Sequence, residues 1–359
     1  MRTALYDQFA ALNARLGEYC GVETALAFSE ARVEFSALVR GCGAYDLGWR
    51  GKIRISGKDR VRWLNGMVSN NIRELPEGRG NYNFVLSPQA RIQGDLYIYN
   101  LGDHFLASTE RSQVEPLLKL LGRYIIMDQV DLADASGEFT AIGVQGPRAR
   151  GVLAKAGLSG PLPGALEVKR LTTFGGLQVL ATRVGDEPLA AYRLWMKPAE
   201  ADVVWKEIVS AGAVPTGAEA LEMFRVAAGV PRYGVDIRER DLPQETGQTQ
   251  ALNFAKGCYI GQEIVERIRS RGAVHRCLRL FVISGVAPQP GAKLADSGKE
   301  VGELTSVQAV PLASAGENAS QVLGLGYVRR EASGPGTKLT TGDAQATVAM
   351  APFGRIFSQ

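Results

Sequence analysis

The same order of predicted elements occurs twice in this chain, and this repeat constrains the fold more than any other feature. Strand, helix, strand, strand, helix and strand are predicted between residues 52 and 135. Strand, helix, strand pair and helix follow between residues 138 and 212. Two split β-α-β units of the ferredoxin-like kind explain this order, because each unit covers one face of a sheet with helices. We therefore expect an α+β fold with two related halves around a central ligand cleft.

The individual elements are assigned from hydrophobic periodicity and from turn residues. The predicted strands cover 52–56, 81–87, 91–100, 127–135, 138–146, 176–184 and 189–196. The predicted helices cover 57–72, 111–124, 147–157, 198–212 and 218–229. Pro147 and Pro198 each open one of these helices, a position that proline favours.

The pattern changes after residue 270. Short strands alternate there with Gly, Pro and Asp turns at a spacing of about 8–12 residues, which is typical of a small β-barrel or sandwich. We therefore expect three parts: an N-terminal half over 1–135, a second half over 136–269, and a C-terminal β-barrel over 270–359.

Charge and hydropathy limit the classes of partner. The chain has 41 basic and 37 acidic residues, so its net charge is only +4 and gives no support to nucleic-acid binding. No apolar run approaches the roughly 18 residues that a membrane helix needs. Asp7 and Glu18 lie near the start, where a signal or transit peptide avoids acids. We expect a cytoplasmic protein with no membrane partner.

The cysteines and histidines do not form a metal-binding pattern. Cysteines occur at positions 20, 42, 258 and 277, and the chain has only two histidines, at 104 and 275. Structural zinc and iron–sulfur sites recruit three or four such ligands at short spacings. The sequence therefore predicts no protein-built metal site and four free thiols.

The segment KGCYIGQE, residues 256–263, places one of these thiols between two glycines. Gly257 and Gly261 allow the backbone to turn tightly against a ligand, and the positive charge of Lys256 favours a thiolate on Cys258. On this interpretation Cys258 is a nucleophile or a transient ligand.

The alternative is a structural turn. In that case Cys258 is a small apolar residue, Tyr259 packs in a core, and Gln262 and Glu263 cap the backbone. Composition alone favours this alternative, because free cysteines are commonly inert.

Two further charged residues are candidates. Asp95 interrupts the strand over 91–100, where an acid needs a partner or a function; the alternative is that it lies at the exposed start of the strand. Arg225 is suited to bind a carboxylate or carbonyl of a ligand. Its alternative is an ion pair with Glu222 or Glu219 on the same helix.

The basic run RIRSR, 267–271, is expected to be a solvated strand face. Trp63, Trp195 and Trp205 are expected to lie in cores.

These segments carry a family resemblance. KGCYIGQE, together with YGVDI (233–237) and LPQE (242–245), resembles the signature of the YgfZ-type folate-binding proteins. Those proteins are relatives of the glycine-cleavage T-protein, an aminomethyltransferase, and include factors that help to assemble iron–sulfur proteins. GKIRISG (51–57) and GDLYIY (94–99) are similar to further strands of the same family.

The resemblance implies a cofactor, tetrahydrofolate or a one-carbon derivative of it. It places Asp95 at the reactive end of the folate and implies folate contacts for Tyr99 and Arg225. Cys258 then joins Asp95 as a catalytic candidate. The remaining implied cofactor-binding residues lie in the motif: Lys256, Gly257, Tyr259 and Gln262.

One position departs from the resembling aminomethyltransferases. They carry a glutamate where this chain has Arg193, and Glu187 could replace it only if the strand register shifts. This difference places aminomethyl transfer in doubt and leaves three hypotheses. The sequence favours a non-enzymatic, folate-binding accessory protein for iron–sulfur assembly or repair, with iron–sulfur client or assembly proteins as partners. The alternatives are a folate-dependent aminomethyltransferase or demethylase and an RNA-modification accessory protein.

Overall fold

The computed structural model describes residues 1–173, 175–185, 188–272, 274–312 and 319–357. The chain forms two compact units that each combine separate stretches of sequence. The first unit contains Met1–Phe84, Gly94–Leu221 and Ala255–Tyr259. The second unit contains Val85–Gln93, Glu222–Phe254 and Ile260–Gln359. The expected division after residues 135 and 269 stays a prediction.

Helices and strands alternate through the first two thirds of the chain, and strands dominate the last third. The helices are α1 (Tyr6–Ala11), α2 (Ala31–Arg40), α3 (Arg60–Met67), α4 (Arg111–Gly122), α5 (Ala149–Lys155), α6 (Ala201–Ser210), α7 (Ala218–Ala228), α8 (Gln262–Arg271) and α9 (Gly354–Phe357). The strands up to the second sheet are β1 (Arg15–Tyr19), β2 (Val22–Ala27), β3 (Gly43–Asp46), β4 (Arg50–Ser56), β5 (Gly80–Leu86), β6 (Ile92–Asn100), β7 (Phe105–Glu110) and β8 (Asp131–Asp134). The remaining strands are β9 (Thr140–Gln145), β10 (Val168–Thr172), β11 (Gln178–Arg183), β12 (Ala191–Met196), β13 (Val214–Pro215), β14 (Arg276–Ser284), β15 (Lys293–Asp296), β16 (Lys299–Pro311), β17 (Ser320–Arg329), β18 (Lys338–Thr341) and β19 (Ala344–Ala349).

The first large sheet has the strand order β5-β6-β7-β4-β8. Its apolar face is covered by α4, which packs closely on β4 because Gly51 has no side chain. A Cβ atom at Gly51 would lie only 2.2 Å from the Val114 side chain. Val114, Leu117 and Leu121 of α4 are buried, as the amphipathic pattern of this helix predicts.

The second large sheet has the order β10-β11-β12-β9-β3-β13. Its apolar face forms a hydrophobic core with α5 and α6. Tyr192 and Leu194 of β12 and Trp205 of α6 belong to this core. Strand β3 comes from residues before the first sheet and pairs antiparallel with β9, so the N-terminal segment completes this second sheet.

The other faces of the two sheets meet inside the first unit. Because side chains alternate along a strand, Asp95, Tyr97 and Tyr99 of β6 share one face, opposite to that of Leu96 and Ile98. Arg193 and Trp195 of β12 likewise lie opposite to Tyr192 and Leu194. The rings of Tyr99 and Trp195 meet edge to face, with centroids 5.3 Å apart. The polar faces of both sheets are therefore directed toward each other.

The C-terminal strands form a closed barrel in the order β14-β17-β16-β15-β18-β19. Its interior is filled by apolar residues such as Phe281, Leu294 and Leu304, each fully buried. This barrel and the two α/β layers confirm the predicted fold class. In the described part of the chain, the longest apolar helices fall short of what crossing a membrane would require.

Several local predictions were wrong. The missed strands are β1, β2, β3, β7, β10 and β13, and the basic run 267–271 belongs to helix α8 rather than to a strand. Strand β7 is buried on both faces and runs directly into α4, so neither alternation nor a turn marks it in the sequence. In α8, ion pairs from Arg267 to Glu263 and from Arg269 to Glu266 occur at helical spacing. The three tryptophans expected in cores, Trp63, Trp195 and Trp205, are buried.

Candidate functional site

The candidate site is the polar inner face, which we define as Arg50, Lys52, Asp95, Tyr97 and Arg193 of the first unit. Strand pairing brings the first four together. Ser108 of β7 lies opposite Tyr97 on one side and opposite Lys52 on the other, so the three residues share a face. Arg193 approaches from the second sheet, with its guanidinium carbon 5.2 Å from the centre of the Tyr97 ring.

Asp95 is held by two side chains that fix both of its carboxylate oxygens. The Tyr82 hydroxyl donates to Oδ2 at 2.6 Å, and the Gln113 amide donates to Oδ1 at 2.8 Å. Gln113 also accepts a hydrogen bond from the Asp95 backbone N–H at 3.0 Å. Asp95 lies inside β6, so the alternative that it sits at an exposed strand start is wrong. A carboxylate oxygen can accept two hydrogen bonds, so this half-buried group can still accept from a ligand.

The surroundings of the Tyr82 hydroxyl keep it protonated. Burial and the nearby Asp95 carboxylate raise the pKa of Tyr82 well above its ordinary value. The phenol therefore remains a donor at neutral pH, and Asp95 remains the acceptor of the pair.

Three cations accompany this carboxylate on the polar inner face. Arg50 donates from Nε to the Ser108 hydroxyl at 3.1 Å and from Nη2 to the Ser108 carbonyl at 3.0 Å. Lys52 is 1 % exposed and donates from Nζ to the carbonyls of Arg50 at 2.8 Å and Phe139 at 3.3 Å. Burial and the charge of Arg50 lower the pKa of Lys52 to about 7. Burial and the charge of Arg193 likewise lower the pKa of Arg50.

Tyr99 has no exposed surface in this structure. Its ring packs edge to face on Trp195, and burial raises the pKa of its hydroxyl. Its implied contact with folate stays a prediction, and that contact would require the ring or its neighbours to move.

Arg225 lies in the second unit, in a cluster that we call the Arg225 cluster. Its guanidinium forms ion pairs with Glu222 at 2.8 Å and with Asp236 at 2.5 Å, and it donates to the Ser306 hydroxyl at 2.9 Å. The ion pair with Glu222 confirms the alternative derived from helical spacing. Glu219 pairs with Arg15 instead. The predicted folate contact of Arg225 stays a prediction.

Lys256 of the KGCYIGQE segment is tied to the loop after α3. Its Nζ donates to the carbonyls of Asn65 and Val68, both at 2.6 Å, and of Asn70 at 2.8 Å. These carbonyls lie at and beyond the C-terminal end of α3, where a positive charge is stabilised. Burial and the nearby Arg73 lower the pKa of Lys256 to about 7, whereas three carbonyl acceptors favour the ammonium form with its three donors. Lys256 thus anchors the segment, and its activation of Cys258 stays a prediction.

The rest of the motif combines an exposed thiol with a packed ring. Cys258 is exposed, whereas Tyr259 is buried, with its ring centre 4.8 Å from the Lys256 ammonium. Gly261 has φ +83°, and a Cβ there would lie 2.6 Å from the Ser87 carbonyl oxygen, so glycine is required. A Cβ at Gly257 would meet no neighbouring atom within 4 Å among the described residues. Roles of Gly257, Tyr259 and Gln262 in cofactor binding stay predictions.

The remaining sequence predictions concern metals and one glutamate. Among the described residues, no group of three or more His, Cys, Asp or Glu side chains could hold a metal ion. All four cysteines are free thiols. Glu187, the possible substitute for the family glutamate, lies outside the described residues.

Comparisons with known proteins identify the family. The sequence matches the GCVT N-terminal domain over residues 5–256. This chain belongs to that family. It therefore falls in the glycine-cleavage T-protein superfamily, as the sequence motifs imply; the narrower YgfZ-type branch stays a prediction.

Individual relatives agree with this assignment. The chain is 27% identical to a chloroplastic protein of Arabidopsis thaliana that is named as a transferase, over 88% of this chain and 72% of that protein. It is also 27% identical to an aminomethyltransferase of Halothermothrix orenii, over 94% of each chain. The crystal structure of the glycine cleavage system aminomethyltransferase T from Bartonella henselae superposes with a TM-score of 0.88. That superposition covers 99% of this chain and 98% of the other at 21% identity, and shows a shared fold.

Sequence reasoning missed three residues of the polar inner face, Arg50, Lys52 and Tyr97, and it missed the two partners of Asp95, Tyr82 and Gln113. Arg50 and Lys52 alternate with Gly51 and Ile53 in RGKIRIS, a pattern that could have placed both cations on one strand face. Gln113 lies on a helix predicted only for its apolar residues. Its contact with Asp95 depends on tertiary packing that no local pattern records.

Proposed function

We propose that this chain is a folate-dependent transferase that binds a reduced folate at the polar inner face and handles a one-carbon unit, as an aminomethyltransferase does. The observation that carries the proposal is the Asp95 carboxylate, fixed by Tyr82 and Gln113 in a chain of the GCVT family. A carboxylate held in this way on a strand is pre-oriented to accept a hydrogen bond from a ligand, which lowers the entropic cost of binding.

The residues of the polar inner face suit such a ligand chemically. A reduced folate carries N–H donors on its pterin and carboxylates on its glutamate. Asp95 is an acceptor for the donors, and Arg50 and Arg193 are donors for carboxylates. Tetrahydrofolate, when bound, supplies the nitrogen that receives the one-carbon unit. The chain's own contribution would be to orient the ligand and to accept or return a proton at Asp95.

The test is calorimetric titration with 5-formyltetrahydrofolate, a stable reduced folate. We expect Asp95→Ala to weaken binding by about 1.5–3 kcal/mol, the worth of a hydrogen bond to a charged group. Asp103→Ala is the matched control, because Asp103 is an exposed aspartate of the same unit. Equal affinity of wild type and Asp95→Ala would remove Asp95 from the site. Turnover is measured separately, as the release of ammonia from an aminomethyl donor in the presence of tetrahydrofolate.

A second candidate function rests on the exposed thiol of Cys258. An accessible cysteine on an anchored segment suits an accessory role in iron–sulfur assembly or repair, with client or assembly proteins as partners. For this role we expect Cys258→Ser to fold normally but to fail to restore iron–sulfur enzyme activity in cells that lack their own factor. Cys20→Ser, at a partly buried thiol, is the control. Full complementation by Cys258→Ser would exclude a role for the thiol.

A further inference from the structure

The loop that follows α3 takes the place of a neighbouring strand at the edge of the first sheet. Strand β5 comes first in the order β5-β6-β7-β4-β8, so β6 is its one neighbouring strand in the described part of the chain. Ser69 of the loop donates its N–H to the Phe84 carbonyl at 3.0 Å, and its hydroxyl accepts from the Phe84 N–H at 2.9 Å. The side-chain amide of Asn70 donates to the Tyr82 carbonyl at 3.1 Å. The loop therefore satisfies backbone groups that an edge strand would otherwise expose.

Lys256 fixes the path of this loop. Its Nζ donates to three backbone carbonyls that are spread along the loop, those of Asn65, Val68 and Asn70. Three acceptors match the three N–H donors of an ammonium group. Lys256 is 7 % exposed, so water cannot easily replace it at these carbonyls. A direct hydrogen bond from this ammonium to a ligand would require it to give up one of the three carbonyls.

A short series of hydrogen bonds connects Lys256 with the Asp95 carboxylate. Lys256 Nζ donates to the Asn70 carbonyl at 2.8 Å, and the Asn70 side chain donates to the Tyr82 carbonyl at 3.1 Å. The Tyr82 hydroxyl then donates to Asp95 Oδ2 at 2.6 Å. All four residues lie in the first unit. Because a hydrogen bond weakens steeply when its distance or angle departs from the normal range, a small shift of β5 would change how Asp95 is held.

We propose that Lys256 is a positioning residue for the Asp95 carboxylate. It holds the loop against β5, and β5 places the Tyr82 hydroxyl that orients Asp95 toward the ligand. This inference rests on the proposed function insofar as that function places a ligand at Asp95. It gives the KGCYIGQE segment a role in ligand binding that needs neither a contact between Lys256 and the ligand nor a reaction of Cys258.

The experiment is calorimetric titration of 5-formyltetrahydrofolate into wild type, Lys256→Met, Tyr82→Phe and the double variant. Methionine retains most of the length of the lysine side chain but has no donor. We expect Lys256→Met to weaken binding about three- to tenfold, a factor that corresponds to the net worth of one hydrogen bond. The double variant should bind about as well as the weaker single variant, because a residue that acts through the Tyr82 hydroxyl has no effect once that hydroxyl is absent.

Three further variants complete the set. Lys256→Arg retains the charge and the donors and should recover part of the affinity. Asn70→Ala removes the middle link but keeps the carbonyl that accepts from Lys256, and it should weaken binding as Lys256→Met does. If thermal unfolding shows that Lys256→Met is not folded, Asn70→Ala takes its place in the double variant with Tyr82→Phe. Lys206→Met, at an exposed lysine of α6 in the same unit, is the control and should bind like wild type.

Hydrogen exchange reports the same link without any ligand. The backbone N–H groups of Ser69, Asn70 and Phe84 each form a hydrogen bond between the loop and β5. We expect these three amides to exchange at least about tenfold faster in Lys256→Met than in wild type, because their protection depends on local opening of the loop. The amides of β7, in the middle of the same sheet, should keep their wild-type rates.

The outcomes separate this inference from the proposed function. If wild type binds the folate and Lys256→Met binds it equally well, the inference is wrong while folate binding stands. The same conclusion follows if Tyr82→Phe binds like wild type, or if the losses of the two single variants multiply in the double variant. If wild type does not bind the folate, the proposed function is wrong and the exchange rates decide the inference. Faster exchange of the three amides then supports it, and unchanged rates overturn it.

Discussion

The Arg225 cluster of the second unit and the polar inner face of the first unit use the same residue types with opposite results. In the Arg225 cluster, Asp236 is fully buried and accepts hydrogen bonds from Arg225, Thr305 and Ser306, while Glu222 pairs with Arg225 and Arg232. Each charge there meets an opposite charge within the protein. On the polar inner face, Arg50 and Lys52 instead donate to a serine hydroxyl and to backbone carbonyls, and several of the groups are half-buried.

This difference separates a structural cluster from a binding site. A neutralised cluster ties α7 to the barrel strand β16 and leaves little for a ligand to gain. A charge that is held by neutral acceptors can still attract a complementary ligand, because the opposing charge arrives with that ligand. The presence of an arginine beside a glutamate in the sequence does not distinguish the two cases; the balance of charge in space does.

The largest expected effect concerns the structural side of this comparison. Asp236→Ala leaves Arg225 without one of its buried partners and removes the acceptor of two hydroxyl groups. We expect a loss of about 3–5 kcal/mol in the free energy of unfolding, measured by urea denaturation. Arg15→Ala, which breaks the exposed pair with Glu219, is the control and should cost at most about 1 kcal/mol. A similar small loss for Asp236→Ala would show that the cluster is not structural.

The second prediction tests the cost of burying the Lys52 ammonium on the polar inner face. The pKa of Lys52 is about 7 in the folded protein and about 10.4 in an unfolded chain, so between these values the unfolded state binds more protons. Stability attributable to Lys52 therefore rises with pH across this window, by up to about 1.4 kcal/mol per pH unit. The two carbonyls that accept from Nζ can both be satisfied by a neutral amine.

The measurement is the pH dependence of urea unfolding for wild type and for Lys52→Met. The wild-type slope between pH 7 and 10 should exceed that of Lys52→Met, and Lys169→Met, at a partly exposed lysine, should keep the wild-type slope. Identical slopes for wild type and Lys52→Met would mean that Lys52 stays protonated in the folded protein over this pH range.

The sequence predicted the main layers of the fold because their signals are local. A short stretch of sequence is enough to recognise the amphipathic pattern of α4, the strand pair β11 and β12, and the regular turns of the barrel. Strand β3 is only four residues long, and it pairs with β9, which lies far along the chain. Strand β10 is five residues long and pairs with the adjacent strand β11, so its short length explains why it was not predicted. The anchoring of Lys256 also depends on distant residues, because its three carbonyl acceptors lie 186, 188 and 191 residues earlier in the chain.

The candidate site was predicted in part, and for a physical reason. Asp95 was identifiable because burying a carboxylate inside an apolar strand costs free energy unless the carboxylate has a hydrogen-bonding or ionic partner. Its partners Tyr82 and Gln113 were not identifiable, because they come from a neighbouring strand and from the helix behind the sheet. Arg193 was noticed as a departure from relatives, but its relation to Arg50 depends on two sheets facing each other.

The smallest expected effect tests whether Asp95 acts through its fixed orientation. Gln113→Leu removes the donor to Oδ1 and the acceptor of the Asp95 backbone N–H, while Tyr82 still holds Oδ2. We expect the affinity for 5-formyltetrahydrofolate to fall by about 0.5–1.5 kcal/mol, the net worth of a hydrogen bond and less than the effect of Asp95→Ala. Tyr82→Phe, which removes the other donor without disturbing the backbone, should give a loss of the same size. Gln178→Leu, at an exposed glutamine of β11, is the control and should bind like wild type. If Gln113→Leu and Tyr82→Phe both bind normally while Asp95→Ala does not, the carboxylate acts by its charge alone. The hydrogen bonds from Tyr82 and Gln113 to Asp95 would then stabilise the sheet and not the bound ligand.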